Sequence, residues 1–188
     1  MGNLRSVQKA FEYLGASCVV SEDVPNEGKL VLPGVGAFGA AMERLAPKAK
    51  ALQAFVQAGG KLLGICLGQQ LLFDSSEEQG NFDGLGLVPG RVRYLPRGEG
   101  LKVPHVGWSA LHPRDGSALL SGIQDGEQAY FVHSLYTECG DPTDIAATAH
   151  YGIDFPAAIQ RGNVWGCQFH PEKSSDVGLR ILRNFIQC

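Results

Sequence analysis

Cys66 stands between two glycines in Lys61-Leu62-Leu63-Gly64-Ile65-Cys66-Leu67-Gly68-Gln69-Gln70, and 104 residues later Gln168-Phe169-His170-Pro171-Glu172 supplies an imidazole and a carboxylate. These are the side-chain types that covalent attack on an acyl carbon requires. The thiol is the nucleophile, the imidazole takes its proton, and the carboxylate orients the imidazole and offsets its charge. Gly64 and Gly68 flank the cysteine as in the Gly-x-nucleophile-x-Gly elbow of hydrolases, where missing Cβ atoms let a strand turn sharply into a helix. Such an elbow leaves the sulfur exposed at a helix N-terminus. The dipole there favours thiolate over thiol and lowers the pKa from its ordinary value of about 8.5.

The surrounding pattern has to deliver that geometry. Leu62, Leu63 and Ile65 form an apolar run after Gly59-Gly60 and predict a buried strand, while Leu67, Gln70, Leu71 and Phe73 recur at helical spacing. Val164 to Phe169 reads as a second strand with His170 at its end, and Pro171 forces an extended turn there. In an open parallel sheet the active loops gather at the carboxyl edge of the strands, so the two ends can converge.

Upstream, Asn3 is placed to cap a helix whose apolar face is Leu4, Val7, Phe11 and Leu14, ended by Gly15. A short strand at Cys18-Val20 follows, then a turn at Pro25-Gly28, a strand at Lys29-Leu32, a glycine loop, and helical segments between 40 and 58. This β-α-β-α order predicts an α/β fold, a mostly parallel sheet with helices on both faces. Between Leu85 and Ala149 short runs such as Gly90-Leu95, Ala129-Leu135 and Ile145-Ala149 predict a mixed or antiparallel extension, and a helix over Asp176-Ile186 closes the chain. Residues 1–188 are expected to form one domain.

Pro33-Gly34-Val35-Gly36-Ala37-Phe38-Gly39 matches G-x-G-x-x-G between a strand and a helix, a pattern that in other proteins holds a dinucleotide. Pro33 breaks the strand-to-loop register, however, and the next strand ends in Cys66 rather than in an acidic residue for a ribose. The loop fits an oxyanion hole better, with the amide of Val35 joining that of Leu67.

The 188 residues are 44% hydrophobic and 19% charged with a net charge of −3, enough for a core and without the basic block that nucleic acid or an anionic membrane would need. No signal peptide or bilayer-length apolar stretch is present, so the cytosol is the default. The five cysteines are scattered without paired or histidine-adjacent spacing, which indicates no disulfide framework, no metal site and no cofactor.

Together, Gly64 to Gln70, the Pro33-Gly36 loop and His170-Pro171-Glu172 resemble the triad (class I) glutamine amidotransferases over nearly the whole chain. Gly2 to Val7, Pro104 to Trp108, Tyr130 to Ser134 and His170 to Ser174 look, within that family, like the glutaminase subunits of imidazole glycerol phosphate synthase in histidine biosynthesis. The resemblance implies a flavodoxin-like fold and hydrolysis of L-glutamine by Cys66, His170 and Glu172. It further implies a cyclase partner in a heterodimer that receives the ammonia and forms imidazole glycerol phosphate and aminoimidazole carboxamide ribotide. By the same resemblance Gly34, Gln70, Glu78 and Ser134 contact the substrate, Glu78 facing its ammonium, and Asn3, Trp108, Tyr130 and Lys173 lie at or near the cyclase. His105 and His133 fall within the motifs without a required role, and His112 and His150 read as surface residues. The 33 to 36 loop is expected to rest with its amide turned away until partner and nucleotide shift it.

Gln69, Leu135 and Ser109 depart from the residues usual at their positions. Relatives also carry an apolar strand before the Gly-Asn pair, whereas this sequence opens at Met1-Gly2. The expectation is a natural start upstream and a first strand missing here. Other readings remain open: the glutaminase of another class I amidotransferase (anthranilate, carbamoyl phosphate or guanylate synthesis), a stand-alone cysteine hydrolase, or a non-catalytic subunit indifferent to Cys66→Ala.

Overall fold

The computed structural model describes residues 3–98 and 100–188; Met1, Gly2 and Glu99 lie outside the described residues, and with them the Gly2 end of the Gly2-Val7 motif. Helix α1 (Leu4–Tyr13) buries Val7 and Phe11 and leaves Leu4 exposed. It ends as the glycine signal predicts. Gly15 takes a φ of +86°, its N–H reaches Glu12 O, and the Ala16 N–H reaches Phe11 O, so the last carbonyls are satisfied.

The main sheet holds β1 (Lys29–Gly34), β2 (Lys61–Cys66), β7 (His112–Pro113), β10 (Ile145–His150), β11 (Asp154–Arg161) and β12 (Val164–Cys167), in the order β1-β2-β12-β11-β10-β7. The pairs β1/β2 and β2/β12 are parallel and the remainder antiparallel. A four-stranded sheet, β4 (Phe82–Asp83), β3 (Phe73–Ser76), β5 (Val88–Tyr94), β9 (Leu135–Cys139), and a hairpin-like pair, β6 (His105–Ala110) with β8 (Gln128–His133), form the extension, whereas the Ile145-Ala149 run expected there pairs with β11 in the main sheet as β10. Helices α2 (Phe38–Leu45), α3 (Ala49–Gln57), α4 (Leu67–Leu71) and α5 (Ser175–Gln187) complete the chain.

Alternation along the central strands divides the core. Leu62, Val164 and Ile159 pack with Phe38, Leu52, Phe55, Leu71 and Phe73 on one face, while Leu63, Ile65 and Trp165 pack with Val7, Phe11, Ile181 and Phe185 on the other. A central parallel strand buried on both faces reads as a continuous apolar run, which is why the Leu62-Ile65 signal was clear.

Several local expectations are corrected. Cys18-Val20 forms no strand; Val19 is 88% exposed, and no described strand offers it a ladder. Phe73 opens β3 rather than continuing the helix, so α4 is a single turn of five residues. Pro33 does not interrupt β1, whose register runs through Pro33↔Ile65 to Gly34↔Cys66. Proline is tolerated because β1 pairs with β2 alone among the described strands. The 129 to 135 run is broken at Ser134 into β8 and β9, which join different sheets, and β12 stops at Cys167, two residues short.

Candidate active site

Cys66 ends β2 and takes φ +55° and ψ −111°, a conformation that L residues occupy only under constraint. The constraint is visible in the two glycines. A Cβ on Gly64 would come 2.5 Å from Gly68 O, and one on Gly68 would come 1.7 Å from Leu32 O. The elbow is therefore built as the spacing predicts. The sulfur, however, is covered rather than standing free: Cys66 is 7% exposed.

His170 is 3% exposed and its Nδ1 donates to Glu172 Oε1 at 2.8 Å. Burial opposes charge on this imidazole, but its contacts with the Cys66 sulfur and the Glu172 carboxylate outweigh that and push its pKa up to about 9. The far end of the chain thus meets the elbow. The backbone of β8 fixes the meeting, since the His170 N–H donates to Tyr130 O at 2.9 Å, the Tyr130 N–H to Ser174 Oγ at 2.9 Å, and the Ser174 hydroxyl to His170 O at 2.7 Å.

Asn3 occupies the cap position of α1 but makes no side-chain cap. Its amide lies inward, 4% exposed and 3.1 Å from His170 Nδ1, leaving little surface of its own to offer a partner. Glu172 takes the one hydrogen on that ring nitrogen, so the Asn3 amide packs against the imidazole edge without a full hydrogen bond, and Asn3 Oδ1 is buried without a partner among the described residues.

β1 ends at Gly34, where a Cβ would press on Leu67 at 3.0 Å, and the loop after it begins with Val35, which is 49% exposed. Leu67 opens α4, so its N–H has no intrahelical acceptor. The Glu78 carboxylate accepts from the Phe38 N–H at the start of α2, a helix whose own N-cap residue, Ala37, has no side-chain acceptor. Glu78 thereby borders the glycine loop across 40 residues of sequence.

Leu135 O anchors two polar chains. It accepts from His133 Nδ1 at 2.7 Å and from Gln70 Nε2 at 3.2 Å. A carbonyl only accepts, so each chain's direction follows. His133 Nε2 is left to accept from His105 Nδ1 at 3.0 Å, and His105 Nε2 accepts from Ser109 Oγ at 3.0 Å. Burial holds His133 down to about 3 and lowers His105, so both are neutral links. On the other chain, Gln70 Nε2 also donates to Gln168 Oε1 at 2.9 Å, and Gln168 Nε2 faces Cys66 Sγ at 3.8 Å. Sequence reasoning gave Gln168 no role. It read as a strand residue, and nothing in its spacing announces the sulfur beside it. Ser134 contributes its carbonyl to Leu95 N at 2.9 Å.

On the outer face of the β6/β8 pair, Trp108 and Tyr130 meet edge to face at 5.8 Å; Trp108 is 48% and Val106 57% exposed. Lys173 is exposed beside His170 in the turn Pro171–Lys173.

The model for "Glutamine amidotransferase class-I" matches residues 5–188. The chain belongs to that family. A relative from Syntrophotalea carbinolica, "Imidazole glycerol phosphate synthase subunit HisH", is 50% identical, with 98% of this chain and 95% of the relative covered. One of the same description from Chlorobium luteolum is 47% identical over 100% of this chain and 96% of the relative. A solved structure described as a glutamine amidotransferase superposes with a TM-score of 0.71 at 18% identity, covering 97% of this chain and 92% of the other, which bears on the fold alone. The class I amidotransferase fold expected from the motifs is thus the one observed. No described helix is long and apolar enough to cross a membrane.

Proposed function

We propose that this chain is the glutaminase subunit of an imidazole glycerol phosphate synthase, acting in histidine biosynthesis. The observation that carries the reading is the junction of Cys66, His170 and Glu172 at a constrained elbow, in a chain about half identical to proteins named "Imidazole glycerol phosphate synthase subunit HisH".

At neutral pH His170 holds its proton between sulfur and carboxylate, so Cys66 attacks the side-chain amide carbon of glutamine as thiolate. The C–N bond breaks as the imidazolium gives its proton to the leaving nitrogen, and ammonia departs from a glutamyl thioester. Water then adds to the thioester, His170 takes its proton, and glutamate leaves as the sulfur is released. The Val35 and Leu67 amides receive the charge on the tetrahedral oxygen. Gly34, Gln70, Glu78 and Ser134 hold the substrate, with the Glu78 carboxylate answering its ammonium.

A cyclase subunit receives the ammonia and forms imidazole glycerol phosphate and aminoimidazole carboxamide ribotide. Trp108, Tyr130 and Lys173 contribute to its docking surface, an exposed aromatic patch of the kind that anchors interfaces. The patch lies one backbone bond from the site, since Tyr130 O accepts from His170 N. Docking with nucleotide bound shifts the 33 to 36 loop into its competent orientation, which prevents idle loss of glutamine. Glutamine hydrolysis measured with and without the cyclase and its nucleotide tests both parts. A slow isolated chain that accelerates in the complex is expected, and an equally fast isolated chain rejects the coupling.

A further inference from the structure

Cys66 needs a source of anion stabilisation besides its imidazole, because α4 is a single turn and carries little of a long helix's dipole. The sulfur lies between two polar groups. On one side lies Val132 O at 3.8 Å, an acceptor that favours the thiol form. At the same distance Gln168 Nε2 faces it as a donor. We propose that Gln168 is a catalytic residue: its amide N–H donates to the Cys66 sulfur and stabilises the thiolate, both before attack and when sulfur leaves the thioester.

The argument rests on polarity. An amide side chain can present oxygen or nitrogen, and an oxygen toward the sulfur would repel the anion. Leu135 O removes that freedom, since it fixes Gln70 with nitrogen toward the carbonyl. The same nitrogen then requires an acceptor from Gln168, which leaves Gln168 Nε2 for Cys66. Gln70 and Gln168 are 4% and 0% exposed, so water does not compete for these bonds. Gln168 N also donates to Ala157 O at 2.8 Å, which fixes the backbone from which the side chain reaches. Gln70 acts through Gln168 and is in this respect a positioning residue.

The role rests on the glutaminase reading, but one measurement does not. The pH titration of thiolate ultraviolet absorbance, with the Cys66→Ser chain subtracted, reports ionisation of Cys66 alone, without glutamine or cyclase. Gln168→Met keeps the volume, removes the donor and leaves Gln70 bonded to Leu135. We expect its titration midpoint to move alkaline by about one pH unit, a tenfold loss of thiolate. In the complex, kcat should fall about tenfold with KM within twofold of the parent. Gln168→Glu, which alters a single atom of the amide, puts an oxygen beside the sulfur and should move the midpoint further; it serves if the methionine variant does not fold. A midpoint unmoved in a folded variant overturns the proposal, even if activity falls, because a merely structural role would lower melting temperature without moving ionisation. A parent complex that fails to hydrolyse glutamine overturns the functional reading instead and leaves the titration intact.

Discussion

Gly68, the second residue of α4, lies against the carbonyl of Leu32 in β1 so closely that a Cβ would come 1.7 Å from the oxygen. The helix that follows Cys66 and the strand leading to the glycine loop are thus held backbone to backbone. Gly68→Ala must push strand β1 and helix α4 apart, and a loss of about 3 kcal/mol or failure to fold is expected. Gly162→Ala, whose φ is +56° with open space around it, should cost only about 1 kcal/mol. Urea denaturation of the two variants compares them directly.

Cys66→Ala should abolish glutamine hydrolysis, by a factor of about 10⁴ or more, while leaving cyclase binding and the melting curve close to the parent. Activity retained in this variant would mean that another group is the nucleophile.

His170 and His133 give stability opposite slopes with pH. His170 has its pKa raised from 6.5 to about 9, so its contribution is full below pH 6.5 and is lost as pH rises through 9. His133 is lowered from 6.5 to about 3, so the unfolded chain binds the extra proton between these values and stability falls as pH drops from 6.5 toward 3. Each proton supplies at most about 1.4 kcal/mol per pH unit. Thermal melts across pH should peak near 6.5, and His170→Gln should flatten the alkaline side alone.

Glu78 accepts from the Phe38 N–H, and the proposed function adds a second, separable duty toward the substrate ammonium. Glu78→Gln keeps an oxygen for the Phe38 N–H but loses the charge, so KM for glutamine should rise at least tenfold with little change in melting. Glu78→Ala removes both and should add about 1 kcal/mol of instability from the uncapped start of α2. Equal KM for the Glu78→Gln variant and the parent would leave Glu78 a cap only.

Trp108→Ala should weaken cyclase binding by about 2 kcal/mol, roughly thirtyfold, without altering the fold, because the ring is half exposed beside Tyr130 on the β6/β8 pair. Titration calorimetry reads this directly.

The elbow, the buried strand at Lys61–Cys66 and the closing helix were legible because each rests on local steric or periodic rules. Glycine at 64 and 68 has one reading once Cys66 ends a strand. The length of the helix after Cys66 was not legible. Phe73 fits helical spacing as well as it fits β3, and only pairing with Val88 decides between them. The exposed sulfur was likewise a local inference, undone when His170, Gln168 and Val132 close over it.

Sequence by itself put forward the side chains of the proposed chemistry, for a thiol, an imidazole and a carboxylate cannot be replaced by backbone or geometry. Tertiary structure alone decided which amide atom meets the sulfur and which histidines stay neutral. Those choices depend on one carbonyl, Leu135 O, and a main-chain oxygen carries no side-chain identity that a sequence can display.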